Sequence, residues 1–148
     1  MYRMRRWSVR HATGLERFYR VFNGLFMALA PLWRGLGLDR IEAPVAAIEA
    51  TLKGAFFDCQ MCGKCVLIDT GMACPMNCPK SIRNGPCGGV RSNGNCEVEP
   101  DMACVWVEAW AGSQRTALGD IKSFQPPVDH RRAGRSSWLA LIPRKTGP

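Results

Sequence analysis

The apolar positions near the start of the chain repeat with the period of a helix. Leu15, Phe18, Tyr19, Phe22, Leu25, Phe26 and Leu29 recur three and four apart and share one stripe. Thr13 and Glu16 have the spacing of a capping box ahead of that stripe, and Pro31 lacks the amide that a continuing helix needs, so the pattern predicts a helix over 13–30. A face so rich in aromatics and leucines has two possible uses, packing on the rest of the chain or docking on another protein. Trp33 to Leu38 reads as a glycine-punctuated connector. A second, shorter helix is expected from Pro44 through Val45, Ile48 and Leu52 to a stop at Gly54. A third is expected to open at Pro100-Asp101 and carry Cys104, Val105, Trp106, Val107 and Trp110; its two tryptophans, one turn apart, are spaced to cover a cofactor or core from solvent.

Between the second and third helices the periodicity stops. Seven of the eight cysteines fall there, at Cys59, Cys62, Cys65, Cys74, Cys78, Cys87 and Cys96, among turn-forming glycines and prolines, and the eighth, Cys104, lies just inside the third helix. Apolar side chains are too few in this stretch to bury a core, so metal or disulfide must hold it together. Beyond Gly112, polar residues, Pro126-Pro127 and the basic pair Arg131-Arg132 predict an extended tail. It ends in an apolar patch, Trp138 to Ile142, which can serve as a docking strand or fold back on its own chain. The expected organisation is a helical region at 1–58, a cysteine-rich metal-binding domain at 59–111, and an extended basic tail with an apolar docking patch at 112–148. In fold class this is α plus irregular metal-organised loops, with N-terminal helices and one C-terminal helix.

Charge refines the picture. Lys and Arg outnumber Asp and Glu by 20 to 12, but residues 59–104 carry four of each sign, so the excess lies wholly in the two arms. If the centre holds two four-iron clusters on eight thiolates it becomes about −4, and part of the basic excess answers the protein's own metal core. The neutral centre also has no Phe, Tyr or Trp, which argues against a zinc-ribbon nucleic-acid module. Arg5-Arg6 ahead of an apolar stretch resembles an export signal, yet Glu16, Arg17, Arg20 and Asn23 make that stretch too polar. The uninterrupted apolar run, Gly24 to Pro31, is far short of the ~18–20 residues that span a bilayer. A cytoplasmic protein that binds neither membrane nor nucleic acid is the expectation.

The cysteines themselves point to metal. Without a signal peptide an oxidising compartment is not expected, and cysteines three apart are poor disulfide partners for one another. Eight thiolates would make two four-cysteine zinc sites, but zinc ribbons pair C-x-x-C hairpins, whereas Cys59, Cys62 and Cys65 form a triple. A triple wraps three thiolates around one face of an iron-sulfur cube and leaves the fourth iron to a distant cysteine. Pro75 and Pro79, each directly after a cysteine, stiffen the turns in the manner of ferredoxins. His11 and His130 lie outside the window, which disfavours mixed Cys/His zinc and Rieske centres. Two 4Fe-4S clusters on the eight cysteines are therefore expected, with zinc in one or both sites as the alternative. Gly63, Gly85, Gly88, Gly89 and Gly94 can bring backbone amides close to cluster sulfurs. Spacing does not decide which four cysteines share a site, and no residue is a candidate for catalysis.

The runs Cys59-Gln60-Met61-Cys62-Gly63-Lys64-Cys65, Cys74-Pro75-Met76-Asn77-Cys78-Pro79-Lys80, Asn84-Gly85-Pro86-Cys87-Gly88-Gly89, Gly94-Asn95-Cys96-Glu97-Val98 and Cys104-Val105-Trp106 resemble the methylenetetrahydrofolate reductase C-terminal domain family. Val128-Asp129 and Ser136-Ser137-Trp138-Leu139 look like that family's closing segment, although Ala140 stands where a polar residue is expected. The resemblance implies an accessory role in one-carbon (folate) metabolism, beside a flavin-containing reductase subunit that reduces methylenetetrahydrofolate. An iron-sulfur subunit would pass electrons to that partner; a zinc-bound one would be structural or regulatory. Alone the chain is expected to be non-catalytic. Trp106 and Trp110 would insulate the clusters, and Lys64, Lys80, Arg83 and Arg91 either attract an acidic electron-donor protein or are simply solvated.

Overall fold

Ala12, Leu15, Tyr19, Phe22 and Phe26 form the inward stripe of the second helix in the computed structural model, which describes residues 2–121 and 125–143. The element order is α1 (Tyr2–Arg10), α2 (Ala12–Ala28), α3 (Ala30–Leu36), α4 (Leu38–Phe57) and α5 (Val105–Ser113). Among the described residues there is no strand. The stretch between α4 and α5 holds only 3-10 turns at Leu67–Thr70 and Pro75–Asn77 and two isolated antiparallel bridges, Val90 with Cys96 and Asn95 with Ala103. Helical ends around an irregular centre bear out the helical part of the expectation. No helix among the described residues is long and apolar enough to cross a membrane.

Several local expectations are corrected. The capping box at Thr13 and Glu16 is not formed: Thr13 Oγ1 donates to the Arg115 carbonyl, while Glu16 accepts from the Ala117 amide at 2.9 Å and from Arg20. Both side chains tie α2 to the segment after α5, because long-range partners outcompete the local cap. The connector at Trp33–Leu38 is helical through Leu36; Trp33 stacks on Phe26 at 5.1 Å and donates to the Phe26 carbonyl at 3.0 Å. The next helix begins at Leu38 rather than Pro44. Leu38, Ile41 and Val45 pack against the core along one face, and their burial outweighs the missing proline amide. The third helix starts after Cys104, not at Pro100, since residues 96–104 are used in paired turns.

The stripe of α2 divides between its two possible uses. Tyr19 and Phe26 are buried, whereas Phe18, Val21, Leu25 and Leu29 are exposed and continue through Leu32 and Leu36 of α3. The patch at 138–142 folds back on its own chain: Trp138 packs on Phe22 at 4.7 Å and donates to Tyr19 Oη at 3.3 Å, with Leu139 and Ile142 buried beside it. A tryptophan covers ~150–250 Å², worth roughly 4–6 kcal/mol of transfer free energy, enough to offset ordering a few residues. The tail is accordingly folded around 3-10 turns at His130–Arg132 and Leu139–Leu141, and its parts at 122–124 and 144–148 lie outside the described residues.

Two close approaches fix the cysteine-rich centre to α5 and to the tail. Gly112 of α5 lies against Gly71, where an added Cβ would stand 2.0 Å from the Gly71 carbonyl oxygen. Gly63, at φ 71°, lies under the tail, where a Cβ would stand 2.2 Å from the Arg132 carbonyl oxygen.

Candidate functional site

The chain leaves α4 through Asp58 in the left-handed conformation (φ 52°) and turns again at Met61 (φ 45°) and Gly63. Met72 and Ser81 also have positive φ. Non-glycine residues held there cost of order 1 kcal/mol or more each, so the surroundings must impose the conformation, and such clusters of strain mark functional segments. The result is a tight curl that brings Cys59, Cys62 and Cys65 around one pocket, with Cys74 added from the turn at Pro75–Asn77. A small pocket partly open to solvent lies between these four cysteines and a wall that includes Lys53 and Ser137.

Three donors face this pocket or its sulfurs. Arg83, 2% exposed, donates from Nη1 to Cys62 Sγ at 3.3 Å and from Nη2 to the Lys64 carbonyl. Tyr19 Oη donates to Cys65 Sγ at 3.3 Å. Lys53, also 2% exposed, reaches the pocket from α4, held by Glu49 at 2.6 Å and Ser137 Oγ at 2.8 Å. The Met61 amide lies 3.4 Å from Cys59 Sγ. Burial pushes the Cys59 thiol up to about 11, with the Met61 amide and Lys53 pulling the other way. Burial and then the charge of Cys59 push Cys74 up to about 12. Any metal bound by these thiols would have to displace their protons.

The other four cysteines do not line this pocket. Cys96 and Cys104 are buried in paired turns, where the Cys96 amide donates to the Met102 carbonyl at 2.9 Å and the Cys104 amide to the Gly94 carbonyl at 3.0 Å. Cys87 is exposed, its sulfur 3.4 Å from the Gly89 amide, and Cys78 is half-buried. Lys80 ion-pairs with Glu97 on the surface, and that hydrogen bond raises its pKa, with Cys87 and Cys96 adding to the effect. Among the described residues no three His, Cys, Asp or Glu side chains are placed to hold a metal ion as they stand. The donor set itself fits a thiophilic centre: four thiols on one pocket, with cationic and hydroxyl donors behind them.

Of the flanking residues singled out in the sequence, Trp106 is buried with Cys104, Ala73 and Ala109 and donates to the Ile82 carbonyl at 3.1 Å. Trp110 is half exposed. Arg83 is neither solvated nor available to an approaching protein, because its guanidinium is used inside. Sequence reasoning missed Tyr19, Glu49 and Lys53. The available signal was an i,i+4 Glu-Lys pair within a largely apolar helix that ends at the first cysteine.

The family model described as methylene-tetrahydrofolate reductase C terminal matches residues 38–131, from the start of α4 to the 3-10 turn in the tail, and includes all eight cysteines. No curated protein and no solved structure matches the chain.

Proposed function

The chain belongs to the methylene-tetrahydrofolate reductase C-terminal family, and from that premise we propose that it is an iron-sulfur accessory subunit that delivers electrons to a flavin-containing methylenetetrahydrofolate reductase partner. The observation that carries the proposal is the pocket of Cys59, Cys62, Cys65 and Cys74, two of whose sulfurs accept from the inward-facing donors Arg83 and Tyr19. These four cysteines would hold one centre, and Cys78, Cys87, Cys96 and Cys104 the second. A 4Fe-4S cluster, when bound, supplies one-electron transfer that a flavin can gather into a two-electron reduction.

The chain's own residues do the remaining work. Arg83 and Tyr19 direct hydrogen bonds at cysteine sulfurs, the interaction that raises reduction potentials in such centres. Trp106 excludes water beside Cys104. Exposed Cys87 sets one edge of the second group at the surface, where a redox partner can approach. The exposed apolar ridge of Phe18, Val21, Leu25 and Leu29 offers area for the reductase to cover.

Anaerobic purification, with any co-purifying partner, followed by measurement of iron, acid-labile sulfide and zinc per chain tests the proposal. About eight irons and eight sulfides, with visible absorption bleached by dithionite, are expected. Zinc without sulfide would refute electron transfer and leave a structural subunit of the reductase.

A further inference from the structure

Lys53 shares the buried residues of α4 with Ala46, Glu49 and Phe57, and an apolar side chain in its place would carry none of the desolvation cost of an ammonium. Yet the charge is there, almost fully buried and tightly placed. Nζ donates to Glu49 Oε1 and Ser137 Oγ and lies 5.3 Å from the centre of the Tyr19 ring and 5.1 Å from that of Trp138.

Glu49 does not simply cancel this charge. Its carboxylate also accepts from Ser136 Oγ at 2.7 Å, from the Trp138 amide at 3.3 Å and from the Ser137 hydroxyl, so its charge is shared among neutral donors of the closing segment. The lysine, in turn, lines the pocket of Cys59, Cys62, Cys65 and Cys74. Burial pulls the Lys53 pKa down, but the charges of Cys65, Tyr19 and Glu49 more than offset it and leave the pKa raised.

We propose that Lys53 is the fixed counter-charge of the four-cysteine pocket, retaining the anionic centre bound there and making it easier to reduce. This rests on the iron-sulfur reading above. A four-thiolate cluster carries about −2 when oxidised and about −3 after accepting one electron from a one-electron reductant. No bond is made or broken in that step, and Lys53 gives up no proton. A positive charge favours the more negative state, and Lys53 is itself only 2% exposed, so its charge is less screened than a surface charge would be. Removing Lys53 should therefore lower the potential of this centre, and removing the charge of Glu49 should raise it. Glu49 and the closing segment thus act as positioning residues for the charge.

The full chain, reconstituted anaerobically with iron and sulfide, is compared as wild type, Lys53→Met, Lys53→Arg and Glu49→Gln. Iron and sulfide content are measured together with midpoint potentials from dithionite titration followed by EPR. In Lys53→Met one midpoint should fall by at least a tenfold change in the reduction equilibrium, about 59 mV for one electron, while the other stays. Lys53→Arg should keep both, and Glu49→Gln should move the same midpoint upward. Two unchanged midpoints in a fully loaded Lys53→Met protein would overturn the proposal. If Lys53→Met does not fold or load, the sign of the Glu49→Gln shift decides, since a fixed or lowered midpoint there is equally fatal. A wild type without iron and sulfide would instead defeat the iron-sulfur reading, before any variant is compared.

Discussion

Raising the pH of the metal-free, reduced chain from about 8 to about 11 perturbs two thiols above all. Cys59 and Cys74 have an ordinary value of 9.0, and burial pushes them to about 11 and about 12 in the folded chain. Below about pH 9 both are protonated folded or unfolded, and their contribution to stability is fully present. Above it the unfolded chain releases protons that the folded chain retains, so the unfolded state binds fewer and stability falls with pH until the folded values are passed. Each unit of separation is worth about 1.4 kcal/mol. Gaps of roughly two and three units, reduced because part of the Cys74 shift comes from the charge of Cys59, give a loss on the order of 3–5 kcal/mol by about pH 11. That is a large part of the ~5–15 kcal/mol that holds a domain folded. Urea unfolding followed by tryptophan fluorescence at stepped pH, under reducing conditions, measures the loss. A Cys59→Ala/Cys74→Ala double variant should show most of it removed, and so should metal-loaded protein, where the same thiols are ligated. A wild type equally stable at both pH values, or a double variant losing as much as the wild type, would refute the reasoning.

Four substitutions extend the test to packing and to a buried donor. Gly112→Ala should destabilise by about 1–3 kcal/mol or more in thermal unfolding, because its Cβ would stand 2.0 Å from the Gly71 carbonyl oxygen. Gly14→Ala, in α2 with nothing within 4 Å of its new Cβ, should be neutral or stabilise by up to ~1 kcal/mol. Trp138→Ala should cost about 3–5 kcal/mol and release the closing segment to protease, since it empties a buried site against Phe22 and Phe26. Arg83→Leu removes the donors to Cys62 Sγ and the Lys64 carbonyl; about 1–3 kcal/mol of stability should be lost, with faster loss of metal to a chelator.

Much of the chemistry was legible along the chain. The triple of Cys59, Cys62 and Cys65 is local, so its spacing already places three thiols on one curl, and the family model covers the same segment. The helical stripe of α2 was equally local: a 3.6-residue period survives whatever the helix packs on. The interruptions were harder to read. Pro44 and the glycines around Trp33 predict breaks from local cost alone, but burial of Leu38, Ile41 and Val45 and the stacking of Trp33 on Phe26 carry the chain through as helix.

What pattern could not supply was which distant residues meet. Periodicity marks positions 15 to 29 as one apolar stripe, but the tertiary fold decides that Tyr19 and Phe26 are covered while Phe18 and Leu25 are not. Spacing lists eight cysteines; the return of Cys74 to the first curl places four of them along one pocket. Arg83 and Lys53 look solvated in a basic sequence, because exposure is the default for a charge that must otherwise shed its water. Only folding provides what makes their burial tolerable. Glu49 lies one turn away, but Ser137, Tyr19 and the cysteine sulfurs arrive from segments far apart in the chain, and the desolvation of a charge is offset by partners that proximity in space, not in sequence, supplies.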